Sequence, residues 1–176
     1  MEADKTLLDA ARRGNADALR EIFDLYAPAL YKYAFRLCGD ALRADHIVGN
    51  VFAKLLEQLS AGTGPRVNLR LYLYEVAYHL VSDEARDFSS SVPFEVDDSI
   101  HHDVNSTRLG VENPMWVEPV LGAIQKNLTD DQRHVVILRF LEGFSLKETA
   151  VIIGKKVGAV KVIQSRAMAA LRKALE

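Results

Sequence analysis

The sequence predicts an all-α fold of two small helical domains joined by a flexible linker. Apolar residues recur at helical spacing through residues 1–86, and no strand-like alternation persists there. The helical pattern returns at residues 117–176, after an acidic stretch without periodicity at 87–116. With 49% hydrophobic and 26% charged residues among 176, the chain has enough apolar surface to build a folded core.

The N-terminal half contains a long amphipathic pattern with clear end signals. Asn15 is a suitable N-cap for it, and Gly39 is a suitable stop. Pro28 lies between them and either kinks one helix or begins a second, because proline lacks the backbone N–H that a helix interior uses.

Two further helices are expected before the linker. Apolar side chains over residues 47–59 form a double stripe at i and i+4 spacing, which is typical of a buried helix face. The turn-rich segment 60–65 ends that helix, and residues 69–80 supply one apolar face of the next. Residues 87–116 show no period, and so long a structureless stretch within one compact domain would be unusual. We interpret it as an interdomain linker, with a mobile loop inside a single domain as the alternative.

The C-terminal half shows the local signals of a helix-turn-helix. A short amphipathic helix over 117–128 is followed by two capping boxes, at 129–132 and at 145–148. Gly154 stands where a helix end favours a left-handed residue, and a longer final helix follows. A short helix, a glycine-containing turn and a longer helix form the helix-turn-helix pattern.

Charge is distributed unevenly along the chain. The net charge is −1 over residues 1–86, −5 over 87–127 and +4 over 128–176. A basic end behind an acidic middle indicates that polyanion binding, if present, belongs to the C-terminal domain. Ordinary fluctuation of charge along a chain explains the same numbers equally well.

The final helix is the most informative element. With Ile163 facing the core, a rotation of about 100° per residue places Lys161, Val162 and Ser165 on the open side, with Gly158, Met168 and Arg172. Such a face can enter the major groove, where lysine reaches guanine or phosphate and valine packs on a thymine methyl. The predicted DNA-contacting residues are Lys155, Lys156, Gly158, Lys161, Val162, Gln164, Ser165 and Arg166.

Composition and motifs exclude several other classes. No apolar run approaches the roughly 18 residues that span a bilayer, and residues 1–5 lack the build of a secretory signal. Cys38 is the single cysteine, so neither an internal disulfide nor a four-thiolate zinc site is possible. The histidines lack metal-site spacing, and neither a phosphate-binding loop nor a nucleophile motif occurs. We therefore expect a soluble, cytoplasmic protein without membrane insertion, cofactor or catalytic site.

The ordered positions of the C-terminal half resemble a known family. Residues 128–145 and 148–172 resemble region 4 of bacterial RNA polymerase sigma factors, of the small two-domain extracytoplasmic function (ECF) group. Response-regulator output domains share parts of that pattern, but residues 26–34, 45–55 and 72–86 resemble ECF sigma region 2. The resemblance implies three partners: core RNA polymerase, promoter DNA and an anti-sigma factor.

The same resemblance implies two contact sets in the N-terminal domain. The helix holding residues 45–55 would dock on a coiled coil of the largest polymerase subunits, through Asp45, His46, Val48, Asn50 and Lys54. The segment 62–86 would open the promoter −10 element and capture its non-template strand, through Arg66, Tyr72, Tyr78, His79 and Arg86.

Departures from the family pattern leave promoter preference open. His46, Gly49 and Asn50 stand where the family usually has acidic or glutamine side chains, and Tyr72 and His79 replace a usual tryptophan and asparagine. The tyrosines at 72, 74 and 78 could stack on unpaired bases or simply pack against neighbouring helices. A stand-alone helix-turn-helix regulator that does not act through polymerase is the competing hypothesis, and the sigma-like N-terminal half argues against it.

Overall fold

The computed structural model describes residues 2–91 and 117–176, and every regular element in those ranges is a helix. This confirms the all-α prediction. The helices are α1 (Glu2–Arg12), α2 (Ala16–Cys38), α3 (Ala41–Ser60), α4 (Leu69–Ser91), α5 (Val117–Asn127), α6 (Asp130–Val136), α7 (Leu146–Ile152) and α8 (Val157–Leu175). A π-helical turn, Ile137–Leu141, continues α6.

Helix α2 begins and ends at the predicted residues. The Asn15 side chain accepts a hydrogen bond from the Ala18 N–H at 3.0 Å, and Gly39 adopts φ 68 at the C-cap. Pro28 lies inside this single helix, so the prediction that it could begin a second helix is wrong. Buried Ala27 and Leu30 hold the helix in the core on both sides of the proline, a residue that costs roughly 3 kcal/mol in a helix interior.

The break at 60–65 is a turn tied to the first helix. Gly62 and Gly64 have φ of 73 and 88, a conformation that side chains with a Cβ rarely adopt. The guanidinium of Arg12 donates hydrogen bonds to the carbonyls of Thr63, Gly64 and Pro65 at 3.0, 3.1 and 2.5 Å. These bonds fix the turn that connects α3 to α4.

The predicted boundary at residue 86 falls inside α4. The helix continues to Ser91, and α5 begins at Val117, where the second domain was predicted to start. The rest of the predicted linker, residues 92–116, lies outside the described residues, as does its predicted flexibility.

The second domain confirms both predicted capping boxes. Thr129 and Gln132 cap α6 reciprocally, and Ser145 and Glu148 do the same for α7. The Ser145 N–H donates to the Glu148 carboxylate at 2.8 Å and holds the pKa of Glu148 below its ordinary value. Gly154 adopts φ 64 between α7 and α8, which completes the predicted helix-turn-helix.

The two domains pack directly on each other. Helices α2 and α4 contact the π-helical turn and α7 of the second domain. Tyr33 and Tyr74 from the first domain and Phe144 from the second are fully buried, and the ring centroids of Tyr74 and Phe144 are 4.8 Å apart. One continuous apolar core therefore crosses the boundary between the domains.

Candidate functional site

Helix α8 presents the predicted DNA-contacting face to solvent. Val160, Ala167 and Leu171 are buried and hold the helix on the second domain. The opposite face is open: Val162 is 49% exposed, and Gly158, Lys161, Ser165 and Arg166 are also exposed. Cationic, polar and small apolar groups thus share one surface, which is the composition that a helix in the major groove uses.

Three predicted residues at the edges of this face already have partners or a structural position. Lys155 forms an ion pair with Asp131 at 3.2 Å, and Lys156 is the N-cap residue of α8. Gln164 is half-buried, and its side-chain oxygen accepts a hydrogen bond from Arg139 Nε at 3.0 Å. The amide N–H₂ of Gln164 can donate to a base while its oxygen keeps the bond from Arg139.

The predicted −10 residues do not form one open face. Arg66, His79 and Arg86 are exposed, and Arg86 pairs with Asp83 at 3.5 Å. Tyr72 is half-buried, and burial raises its pKa above the ordinary value. Tyr78 is half-buried because its ring packs against His134 of the second domain, with ring centroids 4.7 Å apart.

Of the two interpretations of Tyr74, stacking on a base and packing against neighbouring helices, its burial favours packing. It is fully buried, and its hydroxyl donates a hydrogen bond to Glu142 Oε2 at 2.6 Å. Burial first, and the neighbouring Glu142 carboxylate second, raise the pKa of Tyr74 above its ordinary value. In this arrangement the side chain has no surface on which a base could stack.

The predicted polymerase-docking residues lie on α3 in two environments. Asp45, His46 and Lys54 are exposed, and Asn50 is half-buried beside His46. Val48 is only 7% exposed and belongs to the apolar core, so its side chain cannot supply the docking contact predicted for it. Helical periodicity places Val48 in the apolar stripe of α3, and only the family resemblance had placed it among the docking residues.

His46 and its neighbours link α3 to α4. Glu84 of α4 lies 3.4 Å from both His46 Nδ1 and Arg43 Nε. These contacts orient the exposed end of α3 against α4. Polar side chains from two helices therefore surround the predicted docking surface.

A polar cluster between the domains was missed by sequence reasoning. The Glu142 carboxylate accepts hydrogen bonds from Arg36 at 2.8 Å and from Tyr74 at 2.6 Å. Nearby, the Tyr33 hydroxyl and His134 Nδ1 share a buried hydrogen bond at 2.8 Å. Burial lowers the pKa of His134 to about 4 and raises that of Tyr33 well above its ordinary value.

Neither a metal site nor a membrane-spanning helix was found in the part of the chain that the structure describes. Within residues 2–91 and 117–176, no group of three or more histidine, cysteine or acidic side chains could hold a metal ion. None of the helices in those ranges has the length and apolar character that a bilayer crossing requires.

Comparison with protein families gives two matches in chain order. The model for Sigma-70 region 2 matches residues 22–90, and the model for Sigma-70, region 4 matches residues 126–173. The ECF RNA polymerase sigma factor BldN of Streptomyces coelicolor is 30% identical over 173 residues, covering 96% of this chain. The chain spans 64% of that protein's length. SigX of Bacillus subtilis, also an ECF RNA polymerase sigma factor, is 26% identical over 88% of this chain and 82% of its own length.

Solved structures show the same fold. CnrH, in complex with the cytosolic domain of CnrY, has a TM-score of 0.69 at 22% identity, covering 98% of this chain and 97% of that one. The sigma factor RpoE of Bartonella quintana, in complex with the anti-sigma factor NepR, has a TM-score of 0.65 at 23% identity. That match covers 89% of this chain and 95% of RpoE.

Proposed function

This chain belongs to the ECF group of the sigma-70 family, and from that membership we propose that it binds core RNA polymerase and directs transcription initiation at specific promoters. Both family models lie on it in the expected order, region 2 before region 4. It acts by binding, in the cytoplasm where polymerase works, and polymerase carries out the chemistry. The match to region 2 disfavours the alternative of a stand-alone helix-turn-helix regulator, which would need a different N-terminal module.

The exposed face of α8 is the observation that carries the −35 assignment. Lys161, Val162 and Ser165 stand on one open surface, and Lys155 and Lys156 precede it. Lysines at that position suit backbone phosphates, which fix register, while residues on the helix face reach base edges. We assign −35 recognition to this helix.

The −10 assignment rests on α4 and the turn before it. Arg66 and His79 are exposed and available to a nucleic-acid strand. Tyr72 and Tyr78 expose only part of their rings, so full base stacking requires them to become more accessible. We propose that −10 contacts use Arg66, His79 and Arg86 first, and the two tyrosines after a rearrangement.

The exposed residues of α3 are proposed to contact core polymerase. Asp45, His46 and Lys54 face solvent, whereas Val48 supports them from the core. An anti-sigma partner is proposed as well, because the similar RpoE structure contains the anti-sigma factor NepR.

A core-binding assay on matched charge variants tests the proposed function. Lys54→Glu and Asp45→Lys should each weaken binding to core polymerase on the order of tenfold, because charged groups at an interface control association. Arg20→Glu and Asp24→Lys alter exposed charges on α2 of the same domain and serve as controls. Run-off transcription from a promoter library should fall in step with binding. Docking through α3 is refuted when both α3 variants bind core as tightly as the wild type does.

A further inference from the structure

Arg12, the last residue of α1, binds three consecutive carbonyl oxygens of the turn between α3 and α4. Its Nη1 donates to Thr63, and its Nη2 donates to both Gly64 and Pro65. Three carbonyl dipoles that point towards one place repel one another, and the planar fork of a guanidinium supplies N–H donors for all of them. Arg12 therefore stabilises this turn from a helix that lies 51 to 53 positions away in the sequence.

The helix that carries Arg12 is itself fixed to the first domain. Leu8 and Ala11 of α1 are only 1% and 3% exposed, so the helix is packed up to the residue before Arg12. Near its start, Asp4 accepts a hydrogen bond from the Tyr26 hydroxyl of α2 at 3.1 Å. The guanidinium of Arg12 is thus held in place by the core of the domain.

The end of α3 holds the same turn from its other side. The Thr63 N–H donates to the Gln58 carbonyl at 2.9 Å, and the Thr63 hydroxyl donates to the Gln58 side-chain oxygen at 2.7 Å. The backbone of Gly64 lies so close to α3 that an added Cβ would come within 3.2 Å of the Gln58 Cβ. The turn therefore lies between α3 and the guanidinium of Arg12.

Two exposed residues, Arg66 and Val67, join this turn to α4. Asn68, which follows them, adopts φ 53, and its side chain accepts a hydrogen bond from the Leu71 N–H at 3.1 Å. Asparagine tolerates this left-handed conformation and is a preferred N-cap residue. The backbone is thus fixed on both sides of Arg66 and Val67, while their side chains remain open to solvent.

We propose that Arg12 is a positioning residue for recognition of the −10 element, which fixes where Arg66 meets the promoter without touching DNA itself. This inference rests on the proposed −10 role of Arg66. An exposed arginine loses conformational freedom when it binds, and a backbone that is already fixed makes that loss smaller. The held turn also restricts the base positions that the Arg66 side chain reaches.

Four variants of the full chain separate this role from others. Arg12→Ala removes all three hydrogen bonds, and Arg12→Lys keeps the positive charge but loses the planar fork. Arg66→Ala removes the side chain that Arg12 is proposed to position. Arg13→Ala removes one positive charge from the neighbouring exposed residue and serves as the matched control.

Run-off transcription by the holoenzyme, on templates randomised over the −10 element with a constant −35 element, measures the effect. Arg12→Ala should lower discrimination at the same base position as Arg66→Ala does. The loss should be about threefold to tenfold, which corresponds to the cost of ordering one long side chain. Arg12→Lys should lower discrimination at that position as well, and Arg13→Ala should match the wild type. Affinity for core polymerase and helical content by circular dichroism should stay unchanged in all four.

Combining Arg12→Ala with Arg66→Ala tests whether one residue acts through the other. The double variant should discriminate no worse than the more affected single variant, because residues that act as a unit are not additive. A purely structural role of Arg12 would instead multiply the two losses. Hydrogen exchange of the amides in residues 62–68 should be faster in Arg12→Ala than in Arg13→Ala, because the turn loses its hydrogen bonds to α1.

The outcomes separate the positioning role from the proposed function. Multiplied losses, unchanged hydrogen exchange or a loss at a different base position overturns the positioning role. Full discrimination by Arg12→Lys overturns it too, because a positive charge alone would then suffice, and this variant decides the matter when Arg12→Ala loses helical content. A wild-type holoenzyme without any −10 preference refutes the proposed function, and the role of Arg12 falls with it.

Discussion

On α8 the side chains of Lys161, Val162 and Ser165 face solvent, whereas on α4 the ring of Tyr78 packs against His134 of the other domain. Both helices are predicted to contact promoter DNA, so the difference lies in what covers them. The α8 face is available as the chain stands, and part of the α4 face is not. Contacts with the −35 element therefore need no rearrangement, while the tyrosine contacts with the −10 element require the tyrosine rings to become more exposed.

The comparison also separates two ways of holding a helix. Helix α8 is held on the second domain by an apolar stripe, and its opposite, polar face is exposed to solvent, whereas Gln164 at its edge is half-buried and bonds to Arg139. Helix α4 is held on one side by Tyr74 and Arg70, which hydrogen-bond to the second domain. Polar groups on α4 are thus partly committed to an internal contact, and those on α8 are left for a partner.

The largest expected effect comes from removing the Phe144 ring, which packs on Tyr74 of α4. Phe144→Ala should lower the free energy of unfolding by about 3–5 kcal/mol, because a fully buried phenylalanine leaves a cavity between the domains. Phe140→Ala is the matched control: that ring is 52% exposed, and the change should stay within about 0.5 kcal/mol. Urea unfolding followed by circular dichroism measures both. A loss below about 1 kcal/mol for Phe144→Ala would show that α4 is not covered in solution.

The next test lowers the pH and follows the effect of His134 on the free energy of unfolding. Burial lowers its pKa to about 4, and the groups acting on it are Asp130, Asp131 and Arg133 of α6. The unfolded chain binds a proton at this histidine near pH 6.5 and the folded chain does not, so stability falls as the pH drops from about 6.5 towards 4. The contribution is fully present above about pH 7, and about 2 kcal/mol of it should be lost by pH 5.

Unfolding measurements at pH 7 and pH 5 quantify the acid effect. In His134→Gln, which cannot titrate, the difference between the two pH values should shrink by about 2 kcal/mol. His79→Gln, an exposed position on α4, should keep the wild-type difference. Equal pH dependence in wild type and His134→Gln would show that His134 is solvated in solution and that it does not cover the Tyr78 ring.

Local signals explain why so much of the fold was predictable. The cap at Asn15, the two capping boxes and the left-handed Gly154 are each set by a few consecutive residues, and all appear as predicted. The exposed side of α8 follows from helical periodicity alone. Pro28 was left open because its position depends on how strongly the core holds the helix on both sides.

The contact between the domains was not predictable by the same means. Tyr74 and Glu142 are 68 positions apart, and Tyr33 and His134 are 101 apart. Periodicity identifies a buried face but does not say which distant residue covers it. Val48 is a different case, because the family resemblance assigned it to a docking surface although the apolar stripe of α3 already placed its side chain in the core.

The smallest effects concern how α8 and its approach divide the work of binding DNA. Lys161 is exposed on the helix face, and Lys155 is paired with Asp131 just before the helix. Lys161→Ala should cost about 1 kcal/mol of discrimination at one base position, the lower end for a base contact, because lysine donates from a point charge. Lys155→Ala and Lys156→Ala should weaken all sequences alike and reduce the salt dependence by about one unit each.

Selection of the full chain against a randomised −35 duplex pool at several salt concentrations separates these roles. The full chain is suitable because the α8 face is exposed with the domains packed together. Lys173→Ala, an exposed cation in the last turn of the same helix, controls for the loss of one positive charge. A changed preference for Lys155→Ala, or an unchanged one for Lys161→Ala, would reverse the assignment of base and phosphate contacts. Because Asp131 already neutralises part of the Lys155 charge in the wild type, Lys155→Ala should lower affinity less than Lys156→Ala does.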